Sequence, residues 1–136
     1  MASVEHGVHS ISNRYVDDYV ALDPLTATFE GITGHDDEMP DLSPDGQQAR
    51  AELYARVLRA MTDAEPVDDA ERTAKAVFLE RIGLEVEVLD AGLRHAQLNV
   101  MESAPQTIRM VFDLMPTATA EDWRVIATSV QIGRAS

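Results

Sequence analysis

The sequence predicts an all-α protein, and three features of its 136 residues indicate this class. Apolar residues recur at intervals of three and four along most of the chain, which places them on one face of a helix. The periodic segments begin at helix-start signals such as Asp-Pro and Ser-Pro and end near Gly or Pro. Strict apolar and polar alternation, the pattern of a half-buried strand, never lasts long enough to predict one. We therefore expect five to six helices, including one long central helix.

The first third of the chain predicts two helices and a loop. Apolar periodicity indicates a first helix over residues 12–23, and we expect residues 1–11 before it to be disordered. Pro24 ends that helix and, with Asp23 as N-cap, begins a short second helix that Gly31 closes. Residues 31–42 have no apolar period and carry glycines, a proline and acids, which predicts an ordered loop.

The middle of the chain predicts the two longest helices. Ser43 and Pro44 start a third helix that ends near Thr62. Asp68, with Glu71 three residues later, resembles a capping box at the start of the longest helix. The apolar surface of that helix is broad enough to lie between neighbouring helices, and it consists of Val77, Phe78, Ile82, Leu84, Val86, Val88, Leu89 and Leu93. We interpret two glycines in this segment, Gly83 and Gly92, as points of close helix packing rather than hinges.

Two further helices complete the predicted fold. Ser103 and Pro105 start the fifth, and Pro116 ends it. Thr119 and Asp122 start the sixth, over residues 120–131, leaving 131–136 as a tail that departs from the pattern. Trp123 lies among apolar residues of the sixth helix, so core packing is preferred to a binding role.

Charge and composition exclude several classes of function. The net charge of −13 and the sequence pI of about 4.5 create a field that repels phosphate backbones, so nucleic-acid binding is not expected. The chain has no cysteine, which removes disulfides, thiolate metal sites and thiol nucleophiles. No apolar run approaches the ~18 residues of a membrane span, and the first residues lack the apolar core of a signal peptide. We expect a cytoplasmic protein without membrane contact.

Three groups of side chains are candidates for a metal or catalytic site. His6 and His9 are spaced for one helix face, but terminal residues usually fray. The acidic loop at His35 lacks the register of a calcium loop, so a solvated turn is favoured. Glu80 and Glu87 lie a heptad apart, but the sequence has no Glu-x-x-His partner for a two-metal centre. The residues alone therefore predict no catalytic, cofactor-binding or metal-binding side chain in this chain.

Two blocks of sequence resemble a known family. The first runs from Arg14 to Gly46 and contains DPLTAT followed by MPDLSPDG, and the second is SAPQTIRMVFDLMPTATAEDW, residues 103–123. Both are similar to the amino-terminal portion of the bacterial domain of unknown function 885 (DUF885) family. Met39 stands where that family usually has Leu.

This resemblance implies a fold and an activity for the parent protein. The family is similar to the helical Taq-type carboxypeptidases, and its members are considered zinc metallopeptidases. Their zinc and their water-activating glutamate belong to a His-Glu-x-x-Pro-Gly-His motif that no position of this sequence matches. We therefore expect residues 1–136 to be an amino-terminal fragment of one such domain, without zinc or catalysis of its own.

Two functional hypotheses follow. In the first, the chain is the helical amino-terminal segment of a peptidase-like hydrolase, and the apolar face of the long helix packs against the remainder of the parent chain or against a second copy. In the second, the chain is a free-standing acidic module that binds a protein partner through that face and catalyses nothing.

Overall fold

A computed structural model describes residues 7–93 and 103–135, and these residues form helices and no strand. The predicted all-α class is confirmed. The longest helix, α4, has 22 residues. In chain order the six described helices are α1 (Val8–Leu22), α2 (Pro24–Glu30), α3 (Pro44–Asp63), α4 (Asp69–Asp90), α5 (Ala104–Leu114) and α6 (Ala120–Ala135).

The described residues divide into two compact units. The first includes residues 7–19 and 47–93, which contain most of α1, most of α3 and all of α4. The second includes residues 20–46 and 103–135, which contain α2, the following loop, α5 and α6. Each unit has its own apolar cluster.

The core of the first unit begins earlier in the sequence than expected. Val8 and Ile11 of α1 are 0% and 7% exposed and pack against Met61 and Ala64 at the end of α3. Burial of these two apolar side chains stabilises the first turn of α1, so the prediction of disorder up to residue 11 is wrong for residues 8–11. Residues 1–6 lie outside the described part of the chain.

Four aromatic rings pack together in the first unit. Tyr15 and Phe78 meet edge to face at a centroid distance of 5.2 Å, and Tyr19 stacks on Tyr54 at 6.3 Å. Tyr54 is 1% exposed, and Tyr15 lies 6.5 Å from it. Such ring pairs stabilise a core beyond the burial of their area. Because the chain has three tyrosines and all belong to this cluster, their absorbance reports on the first unit.

The start of α4 forms as the sequence predicts. The Glu71 backbone N–H donates to Asp68 Oδ1 at 2.8 Å, which is the N-cap bond. The Glu71 carboxylate is buried and accepts from the Val67 backbone N–H at 2.9 Å. The return bond therefore reaches the residue before the N-cap instead of the N-cap itself.

Both glycines of this segment differ from their predicted role. Gly92 lies beyond the end of α4 with a φ of +64°, and its N–H donates to the Leu89 carbonyl at 2.9 Å. Gly92 thus takes the left-handed conformation that follows many helix ends. A β-carbon added at Gly83 would meet no atom of the described residues within 4 Å, so close packing is wrong there as well.

The broad apolar surface of α4 is only partly covered within the first unit. Phe78 and Leu79 pack against the core, and Ile82 is 6% exposed. Val77 and Leu84, by contrast, are 54% and 47% exposed. Because these two residues lie seven positions apart, they share one helix face. We call this pair the α4 outer face.

Lys75 joins α4 to the end of α3. Its ammonium donates to the Thr62 and Ala64 carbonyls, each at 2.7 Å, and these carbonyls belong to the last turn of α3 and the residue after it. Terminal carbonyls lack a partner in their own helix, and a cation beside them also interacts favourably with the helix dipole.

We expect Lys75→Met to lower the free energy of unfolding by about 1 kcal/mol, because the aliphatic stem remains and two bonds are lost. Urea denaturation followed by circular dichroism measures this. Arg81→Met is the control, since Arg81 is exposed on the same helix and its Glu80 partner is exposed too. An equal loss in both variants would contradict the role assigned to Lys75.

In the second unit, α2 packs against α5. Leu25, Val111 and Met115 form the buried cluster, and Met39 from the loop and Val125 and Ile126 from α6 pack around it. The helix α5 starts after Ser103, as the sequence predicts. Thr119 and Asp122 exchange two bonds at the start of α6, 2.7 and 3.2 Å long, so the helix start predicted at these residues is confirmed.

Two predictions for α6 are wrong. Trp123 is 57% exposed, and its Nε1–H donates to the Thr117 carbonyl at 3.2 Å. The buried face of α6 instead contains the polar residue Ser129, and the apolar residue Val130 next to it is 44% exposed. The helix also continues to Ala135, four residues beyond its predicted end at residue 131.

Within the described residues, no helix combines the length and apolar character required to cross a bilayer.

Candidate functional site

The MPDLSPDG block forms a tight joint before α3. The Ser43 N–H donates to Asp41 Oδ1 at 2.8 Å, and the Gly46 N–H lies 3.4 Å from Ser43 Oγ. A β-carbon at Gly46 would overlap the Asp41 carbonyl oxygen and would lie 2.8 Å from the Asp41 carbonyl carbon. We call Asp41, Ser43 and Gly46 the α3 joint. Its residues bond to one another, which indicates a structural role for this block.

Asp41 supplies a pH-dependent contact in the joint. Hydrogen bonds from the Ser43 side chain and backbone hold the pKa of the Asp41 carboxyl below its ordinary value. A lowered pKa in the folded chain gives stability that is present above the unfolded pKa and is lost as pH falls through the folded one.

We expect nuclear magnetic resonance titration of the Asp41 carboxyl carbon to give a pKa below 3.8, the ordinary value. Ser43→Ala removes the largest cause and should raise the pKa of Asp41 toward that value. A titration that is the same in both proteins would show that the Ser43 bonds do not form in solution.

The acidic loop after α2 is attached to two helices. Thr28 Oγ1 of α2 donates to Asp36 Oδ1 at 3.0 Å, and Ser129 Oγ of α6 donates to the Asp36 carbonyl at 2.7 Å. His35 Nδ1 lies 2.9 Å from Glu38 Oε2. In residues 7–93 and 103–135, no three His, Cys, Asp or Glu side chains converge as a metal site would require.

The other candidate side chains lie apart from one another. His9 is exposed on α1, and His6 is outside the described residues. Glu80 lies 3.4 Å from Arg81, and both side chains are exposed, while Glu87 is also exposed on α4. Among the described residues, His9, Glu80 and Glu87 belong to no group of three or more side chains that could hold a metal ion.

A cleft of about 390 Å³ lies between α1 and α3 in the first unit. Ile11, Val57 and Ala60 supply part of its apolar lining, and Tyr15 borders it as well. The charged residues Arg14, Asp18, Arg56, Asp63 and Glu65 line the remainder. Arg56 and Asp18 form an ion pair of 2.7 Å across the two helices.

Sequence reasoning missed the cleft, the α3 joint and the Ser129 bond. The cleft and the bond depend on how separate helices pack, and no local pattern encodes them. One feature of the sequence could have indicated the joint. Gly46 lies inside a predicted helix, where glycine is unfavourable unless close packing requires it.

The described residues form an all-α fold, and the loop hydrogen bonds described above connect parts of that fold. A family model described as a bacterial protein of unknown function, DUF885, matches residues 24–132. The chain therefore belongs to the DUF885 family, as the resemblance of its two blocks predicts. No curated protein matches the chain.

Proposed function

We propose that this chain is a helical scaffold segment of a DUF885-family, zinc-dependent, peptidase-like hydrolase whose catalytic motif lies outside these residues. Family membership over residues 24–132 is the observation that carries the proposal. The resemblance to Taq-type carboxypeptidases supplies the reaction class, which is hydrolysis of peptide bonds.

The contacts of the two family-like blocks support a scaffold role. In the first block, Asp41, Ser43 and Gly46 bond to one another at the start of α3. In the second block, Val111 and Met115 lie in the core that α5 shares with α2. The side chains that resemble the family thus shape the helices and their connections.

Zinc would need three protein ligands and an open position for water in a hydrolase of this kind. The described residues do not fit that requirement, because no group of three suitable side chains converges among them. We derive no catalytic step from this chain. Its contribution to hydrolysis is to hold and cover the segment that carries the zinc ligands.

The exposed apolar side chains support this packing role. Val77 and Leu84 form the α4 outer face, and Met110 and Leu114 of α5 are 49% and 53% exposed. Each pair has the spacing of one helix face. Exposed apolar side chains that share a helix face are candidates for contact with another part of the protein, and further helices of the family fold would cover these faces.

Reconstitution tests the proposal. The 136-residue chain is mixed with a separately produced downstream segment of a DUF885 protein that contains the His-Glu-x-x-Pro-Gly-His motif, and hydrolysis of a quenched-fluorescent peptide library is followed with added zinc. We expect hydrolysis that requires both parts, and none from the chain alone.

The test variant combines Val77→Gln with Leu84→Gln and should reduce reconstituted hydrolysis. The control variant is Val67→Gln. Val67 is 84% exposed but lies in the linker before α4, so its change should have no effect. Zinc-dependent hydrolysis by the chain alone, lost on His9→Ala or His35→Ala, would overturn the scaffold role. Failure of the mixture to associate would favour the free-standing module.

A further inference from the structure

We propose that the cleft between α1 and α3 binds a small organic ammonium ion that has an apolar body. The site lies wholly within the first unit and is independent of the proposed hydrolase role. It has an apolar lining from both helices and, at one end, carboxylates that form no ion pair with a described residue.

The size and lining of the cleft suit a small ligand. Its volume of about 390 Å³ falls near the lower end of the range for small-molecule pockets, roughly 300–1,000 Å³. Ile11 and Val57 are 7% and 6% exposed, and Ala60 and Ala64 leave space because their side chains are short. Tyr15 adds an aromatic ring to the apolar lining.

The charges of the lining favour a cation. Of the two arginines, Arg56 is already engaged with Asp18 at 2.7 Å, and Arg14 lies 3.4 Å from Ser10 Oγ. Asp63 and Glu65 have no ion pair with any described residue. The lining therefore carries three acids and two bases, an excess of one negative charge.

The position of these acids gives the ligand an orientation. Asp63 is the last residue of α3, where the helix dipole adds negative potential, and Glu65 follows two residues later. Lys75 donates to the Thr62 and Ala64 carbonyls nearby but does not line the cleft. The net charge of −13 also raises the local concentration of cations. The ammonium is placed near Asp63 and Glu65, and the apolar body lies along Val57 and Ala60.

Three ligands that share a phenylpropyl group and differ in the charge of their end group test the proposal. Phenylpropylammonium, phenylpropanol and phenylpropionate are titrated into the full chain, and amide chemical shifts are followed by nuclear magnetic resonance. We expect phenylpropylammonium to bind with a dissociation constant on the order of 1 mM and to shift residues of α1 and α3. Phenylpropanol should bind about threefold more weakly, and phenylpropionate more weakly still.

Two variants distinguish the cleft from nonspecific binding. Ala60→Leu fills the cleft and should abolish the shifts, whereas Ala55→Leu, an exposed position on α3 outside the lining, should leave them unchanged. Glu65→Gln should weaken phenylpropylammonium about threefold without affecting phenylpropanol. This change is on the surface, so it remains informative if Ala60→Leu unfolds the chain. Equal or tighter binding of phenylpropionate, or binding unaffected by both variants, would overturn the proposal.

Discussion

Gly46→Ala is expected to destabilise the chain by about 2 kcal/mol. The new β-carbon would occupy the space of the Asp41 backbone, lying 2.8 Å from its carbonyl carbon. Backbone cannot rotate away as the end of a long side chain can, so the α3 joint would have to open. The Ser43 and Gly46 N–H bonds that start α3 would weaken with it. Urea denaturation followed by circular dichroism at 222 nm measures the loss, since helix content dominates that signal.

Gly83→Ala is the matched control, because Gly83 also lies in a helix but a β-carbon there meets no described atom within 4 Å. Alanine is the better helix former, so this variant should gain roughly 0.5–1 kcal/mol. The same substitution is thus expected to have opposite signs at the two sites. Stabilisation by Gly46→Ala would show that the close approach to Asp41 does not exist in solution.

Ser129→Ala should cost about 1–2 kcal/mol and loosen the acidic loop. The Ser129 side chain is 1% exposed and donates to the Asp36 carbonyl 93 positions away at 2.7 Å. Losing this donor leaves a partly buried carbonyl without that bond, which costs more than the bond itself gains. Amide hydrogen exchange should accelerate in the loop of residues 31–43.

The control for this bond is Thr128→Val. Thr128 Oγ1 donates to the Arg124 carbonyl of its own helix, at 3.0 Å, and the side chain is exposed. We expect a change within about 0.5 kcal/mol and no effect on loop exchange. If Ser129→Ala also leaves loop exchange unaltered, α6 does not hold the loop through Asp36.

The helices were largely predictable because their signals are local. Asp68 with Glu71 and Thr119 with Asp122 are capping residues a few positions apart, and both form the expected bonds. Helix boundaries that depend on tertiary burial were not predictable in this way. Val8 and Ile11 extend α1 because distant residues of α3 cover them, and nothing near residue 8 encodes that contact.

Trp123 shows the limit of apolar patterning. The apolar residues around it on α6 have the spacing of one helix face. The face that is buried in the structure is a different one, because it contains Ser129 and leaves Trp123 exposed. A polar residue that is buried for one long-range bond has no signature in a periodicity of apolar residues. The candidate cleft could not be predicted for a similar reason. Its lining includes Ile11, Tyr15 and Val57, which belong to two helices, and no local sequence pattern predicts that these helices pack together.

Sedimentation velocity, with a hydrophobic dye as second readout, tests most directly whether the exposed apolar faces are packing surfaces. We expect the chain alone to bind dye and self-associate through the α4 outer face, and the downstream family segment to replace both with a one-to-one complex. Val77→Gln with Leu84→Gln should weaken both dye binding and complex formation, and Val67→Gln should weaken neither. A monodisperse monomer that binds no dye and does not associate with the downstream segment would contradict the scaffold account.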